Sequence, residues 1–286
     1  MGADGGHGVR RGGVGEPLVL IHGYSGTRLM WEPVLEALER CHHVLAVNLA
    51  GHVGGPGLGD TPVSVSALVD AVERDLDAAG YDTAHLVGSS LGGWIAFEMA
   101  IRGRARSVVA LAPAGGWEAG SRAERRLRAL FVRNHRLLTP LLPRIDSMMR
   151  RPRLRHAMLW QIAAHGERIP PATAAQIVRD SVGCPVYFEL MDAILRDGPP
   201  RALDGVRCPV LLAWGTRDRI LPSRRYSQRL RDMLPNAEWT ELPGLGHVPM
   251  PDDPDLVART ITGFVARVRE PAVDGDKLAP TSRMPA

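Results

Sequence analysis

Six short apolar runs punctuate the chain, and they restrict its fold more than any other feature. They are PLVLIH (17–22), HVLAVN (43–48), TAHLVG (83–88), SVVALA (107–112), PVLLAW (209–214) and AEWTEL (237–242). Most are near-continuous Val, Leu, Ile and Ala, the pattern of strands buried on both faces rather than on one. Segments of helical spacing lie between them, at 28–40, 64–79, 91–103 and 223–234. A last helix is expected over 253–267, with Asp252 or Asp253 as its cap and Pro254 in its first turn. Strands alternating with helices predict an α/β fold, a doubly wound and mostly parallel sheet with right-handed crossovers.

The alternation stops between Pro113 and Leu203. That stretch reads as helical throughout, rich in Arg, Leu, Met and Pro. An insertion between two sheet strands is most simply a lid over the carboxyl edge, where open α/β sheets bind ligands. The expected division is therefore a core of 16–114 and 203–268, a helical lid of 115–202, and flexible tails at 1–15 and 269–286. Gly in the first tail and Pro, Asp and Ser in the second are the basis for the tails.

A chain of 286 residues, 45% hydrophobic, buries a core without disulfides. Its three cysteines, Cys41, Cys184 and Cys208, are widely spaced and form no CxxC pair, so they are expected reduced and buried, in a cytoplasmic protein. The N-terminus lacks the apolar core of a signal peptide, and no run reaches the ~18 apolar residues of a membrane span. The net charge of +4 is carried almost wholly by arginine, Lys277 being the one lysine. Basic and acidic residues alternate over most of the chain, which gives no nucleic-acid footprint. The exception is SRAERRLRALFVRNHR (121–136), with six arginines and one glutamate, followed by RRPRLR. A solvated helix face is the plain reading; docking of an acidic carrier protein, or of an anionic membrane surface, is the alternative.

Two serines stand side by side in LVGSSLGGW (86–94), where a strand-like run meets a helix-like one. The pattern G-x-S-x-G fits only with Ser90 at its centre, between Gly88 and Gly92. A serine on a sharp strand-to-helix turn is exposed above the sheet, and glycine on either side relieves the crowding. It needs a base. In this architecture the partners follow in the order serine, acid, histidine. Only His247 lies after His165, in the Gly/Pro-rich loop LPGLGHVPMPDDP. The acid is expected at Asp218, in the loop leaving 209–214. Asp204 and Asp232 are worse placed, and Glu238 and Glu241 are outside candidates. The oxyanion donors are expected from the Leu91 N–H and from the loop IHGYSGTRLMW, at Tyr24 with Ser25 as the other possibility. His22, at the end of its strand, reads as structural.

Five segments, LIHGYSGTRLMW, NLAGHVGGP, LVGSSLGGW, WGTRDRILP and GLGHVPM, occur in one order across 17–268. In them the chain resembles the α/β-hydrolase superfamily, in its lidded serine-hydrolase branch. The resemblance implies Ser90 as nucleophile, His247 as base, Asp218 as acid, and Tyr24 and Leu91 as oxyanion donors. A serine nucleophile argues against the haloalkane-dehalogenase and epoxide-hydrolase branches, whose nucleophile is aspartate. Two departures stand out. Relatives often carry Asp and Pro where NLAGH has Asn48 and Ala50. The family also usually opens with a β-hairpin, whereas about sixteen Gly-rich residues precede the first clear strand here, so the sheet is expected to be shortened at that edge.

The reaction so implied is hydrolysis of a carboxylic ester. Thioester hydrolysis, C–C bond hydrolysis and a lyase or cyclase step use the same groups, and a non-catalytic binding module is the remaining possibility. Apolar lid residues, from Leu130 and Phe131 through Met148 and Met149 to Met158, Leu159 and Trp160, point to a hydrophobic substrate of small to medium size. Ser25, Met158, Trp160 and Val248 are placed at the pocket. No cofactor fingerprint and no metal-ligand cluster is evident.

Overall fold

The computed structural model describes residues 8–269. The chain runs β1 (Arg10–Gly12), β2 (Glu16–Ile21), α1 (Glu32–Glu39), β3 (His42–Val47), α2 (Val65–Ala78), β4 (Ala84–Ser89), α3 (Leu91–Ile101) and β5 (Ala105–Leu111). Five helices follow: α4 (Arg122–Leu138), α5 (Ile145–Met149), α6 (Pro152–Leu159), α7 (Pro171–Val182) and α8 (Tyr187–Asp197). β6 (Val210–Gly215), α9 (Ser223–Met233), β7 (Glu238–Leu242) and α10 (Pro254–Arg269) complete it.

The seven strands lie in the order β1-β3-β2-β4-β5-β6-β7. Every pairing is parallel except that of β1 with β3. The apolar runs are continuous because each strand serves two cores. In β2, Leu18 and Leu20 pack with Trp31, Leu38 and Phe264 on one face. Val19 and Ile21 pack with Leu68, Ile95 and Phe97 on the other. α1 and α10 therefore cover one side, and α2 and α3 the other. All six residues of β4 are buried.

Residues 10–12 correct the expected tail and the expected shortened edge. Arg10 pairs with Ala46 and Gly12 with Val44 in an antiparallel edge strand. Arg10 also bonds Glu39 across 3.2 Å. Gly13 (φ +80°) and Gly15 (φ +110°) make the turn into β2. A strand of three residues, two of them arginine, carries no apolar run by which a sequence could reveal it. The C-terminal tail, apart from Arg269 at the end of α10, lies outside the described residues.

The helical stretch between β5 and β6 forms an insert with a small core of its own, where Ile145, Met149, Leu159 and Ala174 are buried together. The six arginines of α4 are all exposed. Cys41 is exposed, contrary to expectation; Cys184 is buried and Cys208 half-buried, and burial raises the thiols of both to about 11. No helix among the described residues is long and apolar enough to cross a membrane.

Candidate active site

Parallel strands discharge their following loops at one edge of the sheet. The loop after β2 brings Tyr24 and Ser25 there, the turn after β4 brings Ser90, the loop after β6 Asp218, and the loop after β7 His247.

Ser90 caps the start of α3 with φ +55° and ψ −116°, a conformation that non-glycine residues rarely adopt. A methyl group on Gly88 would run into the Gly92 carbonyl, and one on Gly92 into the Ile21 and His22 carbonyls. The two motif glycines are thus required by the closeness of β2 and α3 to the turn, not by their own backbone angles. The turn is held by Ser90 N–H to the Leu111 carbonyl at 2.9 Å and by Ala114 N–H to the Ser90 carbonyl at 2.9 Å. Leu91, as the first residue of α3, has an N–H without an intrahelical acceptor.

His247 Nδ1 lies 2.7 Å from Asp218 Oδ2, both side chains being buried. The other oxygen of Asp218 accepts the N–H groups of Ile220 and Leu221 at 2.9 and 2.8 Å. An Nδ1–H donated to the carboxylate leaves Nε2 as the free lone pair of the ring. Ser90 and His247 line one cavity of about 340 Å³. Ser90 also lines a small pocket of about 40 Å³, with Tyr24, Leu91, Trp117 and Met191.

His22 is fully buried and has no free nitrogen. Its Nε2 accepts the Leu49 N–H at 2.9 Å, so Nδ1 carries the proton and donates to the Gly23 carbonyl at 2.8 Å. Burial, with His52 beside it, lowers its pKa to about 3. It holds two loops together and is no rival base. Asn48, one of the departures, does related work: its carbonyl accepts the Arg28 N–H at 2.7 Å and its amide donates to the Gly54 carbonyl at 3.2 Å.

Tyr24 ties the loop after β2 to the insert. Its phenol donates to the Tyr187 carbonyl, and its ring packs edge-on against Phe131 and Tyr187. Burial raises its pKa, so it stays a proton donor. Ser25 (φ +53°) faces the cavity and meets Ser181 on α7 at 2.9 Å. Met158 and Val248 also line the cavity. Trp160 does not, which corrects its placement: it follows α6, its ring is 45% exposed, and the Arg219 guanidinium lies 5.1 Å from its centroid. Met149, too, packs inside the insert rather than against the cavity.

Sequence reasoning missed Asp252. Of the two aspartates before α10, Asp253 is the cap, accepting the Leu256 N–H at 2.9 Å. Asp252 turns inward instead and is buried. Its carboxylate accepts Gly246 N–H at 2.7 Å, Ala164 N–H at 2.9 Å and His165 N–H at 2.7 Å. The doubled aspartate was the available signal, since one cap needs only one. Among the described residues no group of three His, Cys, Asp or Glu side chains is arranged to hold a metal ion.

The chain belongs to the alpha/beta hydrolase family, whose pattern matches residues 18–260. It is 36% identical over 204 residues to a protein named epoxide hydrolase EphH from Mycobacterium tuberculosis, covering 71% of this chain and 95% of that one. It is 30% identical over 258 residues to a putative carbamate hydrolase, RutD, from Azorhizobium caulinodans, covering 90% and 93%. Among solved structures, an enol-lactonase from Burkholderia xenovorans superposes with a TM-score of 0.69 at 21% identity, covering 90% of this chain and 95% of that one. A thermophilic esterase from Thermogutta terrifontis gives 0.69 at 20%, covering 92% and 93%. At those identities the solved structures speak for the fold. The chain is an α/β-fold hydrolase.

Proposed function

We propose that the chain cleaves carboxylic esters of hydrophobic, small-to-medium substrates through a Ser90–His247–Asp218 triad and an acyl-enzyme. The observation that carries this is the His247–Asp218 contact of 2.7 Å beside a cavity that Ser90 also lines. His247 Nε2 takes the Ser90 proton as Oγ attacks the ester carbonyl. The Leu91 and Tyr24 N–H groups receive the oxyanion. His247 then protonates the leaving alcohol, and water, activated by the same nitrogen, releases the acid. The insert acts as the lid that keeps this space apolar.

The relatives' names bear on the substrate through Ser90. A carboxylate that opens an epoxide forms an ester, which water can cleave. A serine that opens one forms an ether, which has no carbonyl for water to attack, so turnover would stop. Epoxide hydrolysis through Ser90 is therefore disfavoured, despite the name of the Mycobacterium relative. Carbamate hydrolysis is the second reading: the Azorhizobium relative carries that name over nearly its whole length, and a carbamate carbonyl suits the same steps.

Fluorophosphonate labelling tests the nucleophile, and a panel of aryl esters, carbamates and epoxides tests the bond. Labelling of the wild type but not of Ser90→Ala, with ester turnover, is expected. An unlabelled wild type that turns over no carbonyl substrate would overturn the proposal.

A further inference from the structure

The cavity beside Ser90 is mostly apolar, but α7 gives it one polar wall. Thr173, Ile177, Asp180 and Ser181 line it, at the spacing of a single helix face. Asp180 is 5% exposed, which makes it a buried carboxylate in the wall of a ligand-sized space. Its Oδ1 accepts the Gln176 side-chain amide at 2.6 Å, and its Oδ2 accepts the Thr27 hydroxyl at 3.3 Å. Both partners are neutral. Each carboxylate oxygen has about two acceptor sites, so these bonds use about half of its capacity.

The bonds to Thr27 and Gln176 fasten α7 to the loop after β2. That task needs an acceptor, not a charge: Ser181 performs the same service for Ser25 with a hydroxyl. Among the described residues no cation pairs with Asp180; a carboxylate so buried is costly, and a ligand that brings the positive charge regains that cost. An ammonium also supplies three donors, enough to fill the unused oxygen sites.

We infer that Asp180 is a specificity residue, receiving a protonated amine on the part of the substrate remote from the scissile bond. The inference rests on the reading of this cavity as the substrate site. It narrows the substrate class to amphipathic cations: an apolar body against Met158 and Val248, and an ammonium against α7.

The test is binding, read by calorimetry and independent of turnover. The probes are 3-phenylpropylammonium and its near-isostere 3-phenylpropanol, each titrated into the wild type, Ser90→Ala and Asp180→Asn. Asparagine keeps an acceptor for Thr27 and removes the charge. The wild type and Ser90→Ala are expected to bind the ammonium at least tenfold more tightly than the alcohol. Asp180→Asn is expected to erase that preference while its affinity for the alcohol changes by less than threefold. Equal affinity for the two probes in the wild type, or no binding of the ammonium, overturns the inference, and needs no variant to fold. An undiminished preference in Asp180→Asn overturns it as well. Because Ser90→Ala is measured alongside, the inference can fail while fluorophosphonate still labels Ser90, or hold when it does not.

Discussion

Asp218 grips His247 with one carboxylate oxygen, at 2.7 Å, and two backbone amides with the other. The Asp218 carboxylate is thus held by its own loop as well as by His247. Asp218→Asn puts an amide opposite Nδ1 and favours the wrong ring tautomer. We expect kcat for an activated aryl ester to fall by about 10³–10⁴-fold with KM within a few-fold. Steady-state kinetics check this; a loss below tenfold would remove Asp218 from the triad.

Ser90 sits at φ +55°, where a side chain is strained and glycine is not. Ser90→Gly is expected to abolish turnover and yet to stabilise the fold by about 1 kcal/mol, a rise in Tm of a few degrees. Calorimetry on the wild type and the variant reads it. A lower Tm would place the strain elsewhere.

The glycines around Ser90 make the opposite prediction. Gly92→Ala drives a methyl group into the Ile21 and His22 carbonyls. Backbone cannot yield as a side-chain end can, so a loss of more than about 2 kcal/mol is expected in urea unfolding.

His22 and His52 are buried and neutral, with pKa values lowered by burial to about 3 and about 4. The unfolded chain, with histidines near 6.5, binds protons that the folded one refuses. Their contribution is complete above pH 6.5 and is lost as the pH falls from there towards 4 and 3. The slope is up to about 1.4 kcal/mol per pH unit for each ring. His52→Asn should remove about half of this slope between pH 6 and 4.5, measured by urea titrations. An unchanged slope would contradict the assignment.

Salt separates two uses of the α4 arginines. If they dock an acidic carrier, kcat/KM for a carrier-bound thioester falls at least tenfold from 50 to 500 mM NaCl, while a free thioester is unaffected. A flat response leaves α4 as a solvated face.

The sheet was legible because burial on two sides leaves no polar residue to interrupt a strand, as in LVLI of β2. The tight turn at Ser90 was legible because Gly88 and Gly92 are demanded by sterics that no other residue satisfies. What escaped were groups whose work is set by distant partners. The edge strand at Arg10 is defined by β3, not by its own pattern. Trp160 reads as a pocket residue until it is seen past the end of α6, exposed and under the Arg219 guanidinium. Asp180 and Asp252 look like surface carboxylates until the segments they meet, 150 and 90 positions away in rough terms along the chain, are folded against them.

Asp252 has one more implication. It joins the amides of Gly246, beside His247, to those of Ala164 and His165 in the insert, and Val248 N–H adds a bond to the Ile162 carbonyl at 2.7 Å. The His247 loop and the insert are therefore moored to a common post. A foreign insert grafted onto this scaffold will have to reproduce that mooring, or the loop that carries His247 will lose three of its anchoring bonds.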